Sequence, residues 1–473
     1  MSSITYRTGV SGLDELVGEI SPPYTILISG NPGTGKTTLA STICYTNAIQ
    51  GKKCLYLTFY EDKEKLFRFM RKLGINLEEA EAKGLLKYLR LPVSLDVEGL
   101  VNTIGKLIVE EGFRVLVVDS ITVVLEAVKE DPGKRGWILN YFYQLPNLMN
   151  GLVVLVAELP LQKPMVEHGF LEFTVDAALV LKNKVENGYL SRVLEIRKIR
   201  GKALHMAEVP FIISDGKGIK VYVPITPEKI PEHYAEETVF PCNLLNEKIG
   251  HIHRDFLVNI FHPPTAIHGR DTLLVVLALA VKYNLRVLVI SYVAAPIQLI
   301  DSLARRLEDL GGIPRDVALK TINKYFTIVG INPFAYNVVE LAMEELELID
   351  KYKPNLVVFH GVHAPSSRYD LLKYVKELYN QVLYLKSRGI LVVRIGSCID
   401  EAHCRSQMSI GDLNLYVMQV TSNGRPELMV YSYRRFTEPR VFTYEELVSN
   451  CLKECVEFIK QRLLSSPLSP GAE

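Results

Sequence analysis

The chain has 473 residues, which is enough for two domains of roughly 200 residues or more each. Its 54 Lys and Arg balance 53 Asp and Glu, so it lacks the basic excess of dedicated nucleic-acid-binding proteins. Its aliphatic runs are interrupted by charges well short of ~20 apolar residues, and its first residues lack the apolar stretch of a signal peptide. The seven cysteines are scattered without the spacing of a disulfide scaffold. We therefore expect a cytoplasmic protein, not bound to a membrane, with reduced cysteines.

The first predicted elements are a buried strand at 24–29, a glycine-rich loop, and a helix that runs to about residue 50. The loop fits G-x-x-x-x-G-K-[ST], the phosphate-binding loop, at every fixed position. Its glycines let several backbone N–H groups point at one phosphate chain, and the helix N-terminus favours an anion. The alternative, a turn that matches by chance, does not account for the strand before it and the helix after it. The predicted nucleotide-binding residues are Gly30, Asn31, Pro32, Gly33, Thr34, Gly35, Lys36, Thr37 and Thr38.

Four side chains are candidates for the chemistry of this site. Lys36 would place its charge on the β- and γ-phosphates, and the Thr37 hydroxyl would coordinate Mg²⁺. Asp119 ends an apolar strand predicted at 114–120, a position from which a carboxylate reaches the Mg²⁺ shell; the alternative is that it caps the next turn. Glu61 follows the second predicted strand and is the candidate for polarising the attacking water. Alternatively, it is a solvated acid at a helix start.

Buried strands continue to alternate with helices as far as residue 199. The predicted strands are 54–59, 114–120, 152–157, 177–181 and 192–199, and the predicted helices are 61–73, 97–111 and 137–148. This alternation predicts a mostly parallel α/β sheet covered by helices on both faces. In the last strand, Lys198 and Arg200 point to one face. Either they belong to an ordinary solvated strand face, or they contact the γ-phosphate of a nucleotide bound to a neighbouring subunit, as arginine fingers do.

Three prolines between residues 224 and 231 indicate a linker, and the order of elements begins again beyond it. A strand at 256–260 leads through a loop to a helix at 272–283, and later strands match those of the first half in character. We interpret this as a duplicated domain with a period of about 235 residues. The predicted segments are a first domain over 1–224, a linker over 225–235, a second domain over 236–464 and a disordered tail over 465–473.

The second copy lacks a functional phosphate loop. Around the loop, an ungapped comparison sets Gly269, Arg270 and Asp271 against Gly35, Lys36 and Thr37, and sets Pro264 and Ile267 against Gly30 and Gly33; a separate match of the later strands sets Phe359 against Asp119. Asp271 would put a negative charge beside the phosphate position, where like charges about 4 Å apart near a surface cost about 4 kcal/mol. We therefore predict that the second domain does not bind MgATP.

Histidines gather at the vacated position in the second half. His262, His268, His360 and His363 are expected to lie near one another, with Cys398 close by, because the loop and the strand end are neighbours in this fold. They could hold a metal such as Zn²⁺, but their spacings fit known metal signatures loosely. Histidines that fill an empty pocket are the favoured interpretation.

Several motifs in combination resemble the KaiC family of the RecA superfamily, which includes archaeal KaiC-like and GvpD-like regulators. They are Thr8-Gly9-Val10-Ser11-Gly12-Leu13-Asp14, the phosphate loop, Val117-Val118-Asp119-Ser120, and Lys198-Ile199-Arg200-Gly201 followed by His205-Met206, Pro210-Phe211 and Asp215-Gly216. The resemblance covers nearly all of residues 4–222, and the second half is similar to the second KaiC repeat in layout only. It implies two tandem RecA-like P-loop domains, the second of them degenerate.

The family forms rings, usually hexamers, with ATP at the subunit interfaces. The resemblance therefore implies that Lys198 and Arg200 act on the adjacent subunit's nucleotide, with His205 and Asp215 near its base or ribose. An extra residue between Arg200 and His205 departs from the family pattern. The family also carries two consecutive glutamates where this chain has Tyr60-Glu61, so hydrolysis is expected to be slow. Because the second repeat lacks the loop and the carboxylate, no autophosphorylation is expected.

These features favour a ring-forming regulatory ATPase that binds ATP and Mg²⁺ in its first domain. The second domain would scaffold the ring or dock a regulatory protein partner. An alternative is a RadA-like recombination mediator that binds single-stranded DNA through the loop at 160–170, which contains Lys163 and His168; the balanced charge argues against it. A third hypothesis is a non-hydrolysing adaptor in which ATP is structural.

Overall fold

The computed structural model of the chain describes residues 4–92, 97–159, 169–186, 188–204, 207–223, 235–264, 269–422 and 425–465. The chain divides into two compact units, Met1–Val223 and Pro224–Glu473. Within the described ranges, every helix is too short or too polar to cross a membrane. The loop proposed for DNA, His205, His268 and most of the predicted linker and tail lie outside these ranges.

The first unit is an α/β domain. Its strands are β1 (Tyr24–Gly30), β2 (Cys54–Thr58), β3 (Leu86–Arg90), β4 (Val115–Asp119), β5 (Leu152–Glu158), β6 (Ala177–Glu186), β7 (Tyr189–Ile199), β8 (Glu208–Ser214) and β9 (Gly218–Val221). Its helices are α1 (Leu13–Val17), α2 (Lys36–Ile49), α3 (Lys63–Lys72), α4 (Leu77–Ala82), α5 (Val97–Glu111), α6 (Ile121–Ala127), α7 (Pro132–Met149) and α8 (Gly169–Thr174).

The strands of the first unit form one sheet in the order β3-β2-β4-β5-β1-β6-β7-β8-β9. Neighbours from β3 to β6 pair in parallel, and those from β6 to β9 pair antiparallel. Helices cover both faces, so the central strands are buried and largely hydrophobic. Ile26 and Ile28 of β1 pack in the core on the α2 side, whereas Leu27 packs in the core on the side of α5 and α7.

The second unit has the same architecture. Its strands are β10 (Glu237–Thr238), β11 (Ile252–His253), β12 (Leu257–His262), β13 (Val287–Ser291), β14 (Phe326–Gly330), β15 (Leu356–His360), β16 (Leu391–Ser397), β17 (Leu413–Ser422), β18 (Arg425–Arg434) and β19 (Arg440–Thr443). Its helices are α9 (Asn243–Lys248), α10 (Gly269–Tyr283), α11 (Pro296–Gly311), α12 (Arg315–Tyr325), α13 (Val338–Tyr352), α14 (His363–Arg368), α15 (Leu371–Ser387), α16 (Glu401–Ser409), α17 (Tyr444–Glu446) and α18 (Leu452–Ser465), with a 3₁₀ turn at Pro333–Ala335 and a π turn at Leu447–Cys451.

The main sheet of the second unit has eight strands, which repeat eight of the nine strands of the first sheet; β9 has no counterpart in it. Its order is β14-β13-β15-β16-β12-β17-β18-β19, which corresponds to β3-β2-β4-β5-β1-β6-β7-β8. The parallel strands and the antiparallel hairpin also fall in corresponding places. The α/β class and the prediction of two tandem RecA-like domains are therefore confirmed.

The strand register corrects one pairing between the two copies. Asp119 ends β4 opposite Thr58, the last residue of β2. In the second unit, His360 ends β15 opposite Ser291, the last residue of β13. His360 therefore takes the position of Asp119, and the prediction that Phe359 takes it is wrong by one residue.

A second pairing also changes. His262 ends β12 in the same register to β16 that Gly30 has to β5, so His262 takes the place of Gly30 and the match to Pro264 is wrong. The reason is a difference in loop length. Residues 31–35 join β1 to α2, whereas residues 263–268 join β12 to α10; a comparison without gaps cannot represent this extra residue, which accounts for one of the two positions of the error.

The expectation of reduced, unpatterned cysteines is also wrong. The structure pairs Cys44 with Cys54, Cys242 with Cys451, and Cys398 with Cys404. Cys455 is free and buried. Spacing in the sequence did not reveal the pairs because the fold creates them: Cys242 and Cys451 are 209 residues apart.

Candidate functional site

The loop between β1 and α2 is shaped by close approaches that only glycine permits. A Cβ atom on Gly30 would lie 2.4 Å from the carbonyl oxygen of Leu181 in β6. Gly35 has φ 105°, a conformation that side chains disfavour, and a Cβ there would lie 2.6 Å from Ile213 of β8. The loop therefore wraps tightly around the start of α2, where backbone N–H groups can bind a phosphate.

Lys36 is the first residue of α2 and is buried. Its Nζ donates a hydrogen bond to the carbonyl oxygen of Asn31 at 3.0 Å, across the loop. Burial lowers the pKa of Lys36, and the negative charges of Glu158 and Asp119 oppose that shift. The ammonium group thus lies between the loop and two carboxylates, at the end of the sheet where β1, β4 and β5 terminate.

Asp119 is partly buried at the end of β4. Burial raises the pKa of its carboxyl group, while hydrogen bonds from Tyr56 and Thr37 and the charge of Lys36 lower it. The Thr37 hydroxyl thus lies close enough to the Asp119 carboxylate to lower its pKa. Mg²⁺ prefers oxygen ligands of this kind, and it is usually bound by one or two carboxylates together with substrate phosphates. The pair therefore fits a magnesium site.

Tyr56 is a site residue that the sequence analysis missed. It is buried in β2, and its hydroxyl donates a 2.9 Å hydrogen bond to Oδ2 of Asp119. Its ring stacks on that of Tyr88 in β3, with ring centres 5.6 Å apart. Tyr88 in turn donates a hydrogen bond to the backbone carbonyl of Glu61 at 2.9 Å. The one sequence signal was a tyrosine between two leucines in a short buried strand.

Glu61 lies next to this cluster but is more exposed. It immediately precedes Asp62, whose side chain caps α3 by accepting a hydrogen bond from the Lys65 backbone N–H. The Glu61 carboxylate is 4.0 Å from Lys65 Nζ and 43% exposed. Its charge also acts on Asp119. The side chain is thus both a solvated acid near a helix start and a neighbour of the site.

Lys198 and Arg200 lie at the opposite end of the sheet from the loop. Arg200 forms a 2.9 Å ion pair with Asp176, whose other carboxylate oxygen accepts the backbone N–H of Thr25 at the start of β1. Gly30 is at the other end of β1, roughly 16 Å away at 3.3 Å per residue. Lys198 donates to two backbone carbonyls at the end of α8. The structure thus brings the two cations together, but away from the loop of their own subunit.

Asp215 is separated from those cations. It lies in the turn between β8 and β9, and the next residue, Gly216, donates a backbone hydrogen bond to the Lys72 carbonyl at the end of α3. The register of β7 with β8 places about ten residues of strand, roughly 33 Å, between Ile199 and the end of β8. The grouping of Asp215 with Lys198 and Arg200 stays a prediction from the resemblance.

In the second unit, the region that corresponds to the phosphate loop and to the end of β4 has different side chains with different interactions. Asp271 is 5% exposed; its Oδ1 accepts from Arg306 Nε at 3.0 Å, and the Tyr444 hydroxyl donates to its other oxygen. Burial lowers the pKa of His360 to about 4, helped by His363 and His262. Among the described residues, no three His, Cys, Asp or Glu side chains are grouped to hold a metal ion.

The parallel sheet, the loop from Gly30 to Thr37 and the carboxylate of Asp119 at the end of β4 define the first unit as a P-loop ATPase domain of the RecA superfamily. Residues 6–225 match the family described as KaiC ATPases, so this unit is a KaiC-like ATPase domain.

Individual relatives agree with this assignment. The circadian clock oscillator protein KaiC of Picosynechococcus is 27% identical over 227 residues, which cover 46% of this chain and 44% of that protein. UPF0273 proteins of Thermotoga maritima and Pyrococcus horikoshii are each 28% identical, over 46% and 47% of this chain and 95% and 94% of their own lengths. The chain thus matches less than half of the KaiC protein and nearly all of the UPF0273 proteins, always with about half of its own length.

Proposed function

We propose that the protein is a regulatory ATPase whose first unit binds ATP and Mg²⁺ and whose second unit has no nucleotide site. One observation carries this proposal: the two sheets have the same strand order, but different residue types stand at the ends of the corresponding strands. In the first, Gly30 and Asp119 end β1 and β4, whereas His262 and His360 end the corresponding strands of the second. The buried ion pair of Asp271 with Arg306 completes the contrast.

Each side chain of the first site has a role in this proposal. The loop N–H groups and Lys36 hold the phosphates, and Thr37 and Asp119 hold Mg²⁺, which when bound neutralises charge on the β- and γ-phosphates. Tyr56 holds the Asp119 carboxylate in place. Glu61 orients the attacking water. Because a second acid beside Glu61 is replaced by Tyr60, turnover is slow.

The ring is the second part of the proposal. In a hexamer, Lys198 and Arg200 would reach the nucleotide of the neighbouring subunit, which agrees with their distance from their own loop. ATP would then favour one assembly or partner-bound state over another through differential affinity. We place the protein in the cytoplasm; its three disulfides then imply a cytoplasm in which intracellular proteins keep disulfides, as in hyperthermophiles. We assign the second unit to ring scaffolding or to a regulatory protein partner, without autokinase activity.

Counting bound nucleotide tests the asymmetry directly. Equilibrium dialysis of the full chain with a slowly hydrolysed ATP analogue and Mg²⁺ should saturate at one nucleotide per polypeptide. Two nucleotides per chain would show that the second unit retains a site, and none would remove the proposal. A Gly35→Val variant is the matched control: its side chain would meet Ile213, so binding should be lost while folding, followed by circular dichroism, persists.

Tyr56→Phe should weaken Mg²⁺ binding without removing the ring from the core. The substitution keeps the stacking on Tyr88 and removes only the hydrogen bond to Asp119, an interaction with a charged group worth about 1.5–3 kcal/mol. We therefore expect Mn²⁺, used as a paramagnetic substitute, to bind the nucleotide complex on the order of tenfold more weakly. Tyr6→Phe is the control, since Tyr6 is also buried but bonds the distant Asn150 carbonyl. Equal Mn²⁺ affinities in all three proteins would contradict the role of Tyr56.

A further inference from the structure

A cavity of about 90 Å³ lies in the core of the second unit, between α10 and the sheet. Most of its wall is aliphatic or aromatic, with side chains from α10, β12, β16, β17 and β18. Polar residues line only a small part of it: His262, Asp271, Thr272 and Tyr444. Protein interiors contain few voids larger than a water molecule, so a cavity of this size in a well-packed fold calls for a physical cause.

The comparison of the two units supplies that cause. In the first unit, Leu181 of β6 pairs with Leu194 of β7, and both line a residual cavity of about 10 Å³. The corresponding cross-strand pair in the second unit is Val417 with Val430. The correspondence follows from the register, because β6 and β17 pair in the same way with their central strands. Two leucines are thus replaced by two smaller valines at the wall of the cavity.

Asp271, Tyr444 and one nitrogen of His262, at the end of the cavity, already have hydrogen-bond partners. Both carboxylate oxygens of Asp271 accept hydrogen bonds, one from Arg306 and one from Tyr444. His262 Nδ1 lies 3.0 Å from the Pro263 carbonyl, which can only accept, so this nitrogen is the donor. Water needs two to four polar partners to occupy a cavity, and aliphatic walls offer none. An anion would also meet the charge of Asp271.

We propose that this cavity is a binding site for a small uncharged apolar molecule or for the short aliphatic end of a larger one. An apolar cavity of about 150 Å³ is known to bind benzene or xenon, so in proportion this one takes roughly three to four non-hydrogen atoms. The cavity lies beneath α10 of the second unit. In the first unit, the corresponding helix is α2, which follows the phosphate loop. The second unit thus exchanges a polar nucleotide site for an apolar one.

Xenon and propane are the probes, and the full chain is the sample. Xenon NMR should show one saturable site per polypeptide, and propane should compete with it and raise the thermal midpoint, since a ligand that binds the native state stabilises it. Propionate, of similar size but charged, should do neither. Absence of saturable xenon binding, or equal competition by propionate, would overturn the proposal. This result does not depend on whether the first unit hydrolyses ATP.

Substitutions locate the site. Val417→Leu together with Val430→Leu restores the first-unit residues and should remove xenon binding while raising the thermal midpoint. Val289→Leu is the control, because Val289 is buried in the same core but does not line the cavity. It should overpack the core and lower the midpoint while xenon still binds.

Val417→Ala should enlarge the cavity and admit benzene. A double-leucine variant that is destabilised like Val289→Leu, or that still binds xenon, would contradict the assignment.

Discussion

Lys36→Ala is expected to abolish tight ATP binding and to lower phosphate release on the order of 100-fold or more, the scale seen when a preorganised charge-stabilising donor is removed. The ammonium group is buried between the loop and the carboxylates of Asp119 and Glu158, so no water-exposed cation can replace it. Removing it also leaves those carboxylates without their nearby positive charge, which adds to the repulsion of a triphosphate. Nucleotide affinity by equilibrium dialysis and phosphate release by a malachite-green assay measure the two effects.

Two further variants make this result specific. Arg270→Ala changes the residue that the sequence sets against Lys36 in the second unit, and it should leave both affinity and phosphate release unchanged. Glu61→Gln should keep ATP affinity while lowering phosphate release, because the acid acts on water rather than on the phosphates. Background release from wild type and Lys36→Ala alike would remove the hydrolase proposal. Equally weak ATP binding by both proteins would also contradict the proposal that ATP favours one assembly or partner-bound state over another.

Local chemistry explains which parts of the site could be predicted from the sequence. The loop from Gly30 to Thr37 is contiguous, and its function depends on backbone conformations that few residues other than glycine adopt. Asp119 follows directly from the end of an apolar strand. The hydrogen bond from Tyr56 to Asp119 crosses from one strand to another, so it depends on a register that no local pattern encodes. Tyr88 was missed with the strand that carries it, because only one residue of that short strand is fully buried.

The comparison between the two copies shows the same limit. Their element order is visible in the sequence, but the residue matches were off by two at the end of β12 and by one at the end of β15, so His262 and His360 were not placed at the positions of Gly30 and Asp119. The replacement of Leu181 and Leu194 by valines is conservative in sequence. Its consequence, a cavity, depends on how several elements pack, which hydrophobic pattern alone does not determine.

Arg200→Ala is expected to keep ATP affinity and to lower phosphate release on the order of 10³-fold, the lower range reported for arginine fingers. Arg200 is 57% exposed, and in the described part of the chain its side chain pairs with Asp176, so its loss leaves the core unchanged. Arg200 follows β7 and lies beside the start of β1, far from the phosphate loop of its own subunit. Any effect of its loss on hydrolysis must therefore come from contact with another subunit. Affinity and release separate this role from a defect in nucleotide binding.

Mixing variants decides whether Arg200 acts between subunits. A Lys36→Ala subunit has no phosphate site but still offers Arg200, and an Arg200→Ala subunit offers an intact loop. When both are co-assembled in equal amounts, half of the loops are intact and half of those have a competent neighbour, so about one quarter of wild-type phosphate release should return in a head-to-tail ring. Co-assembly of Arg200→Ala with a Lys36→Ala, Arg200→Ala double variant should remain inactive, since no subunit then supplies the arginine. If the first mixture is as inactive as the second, Arg200 does not act on a neighbour, and the interfacial nucleotide site fails with it.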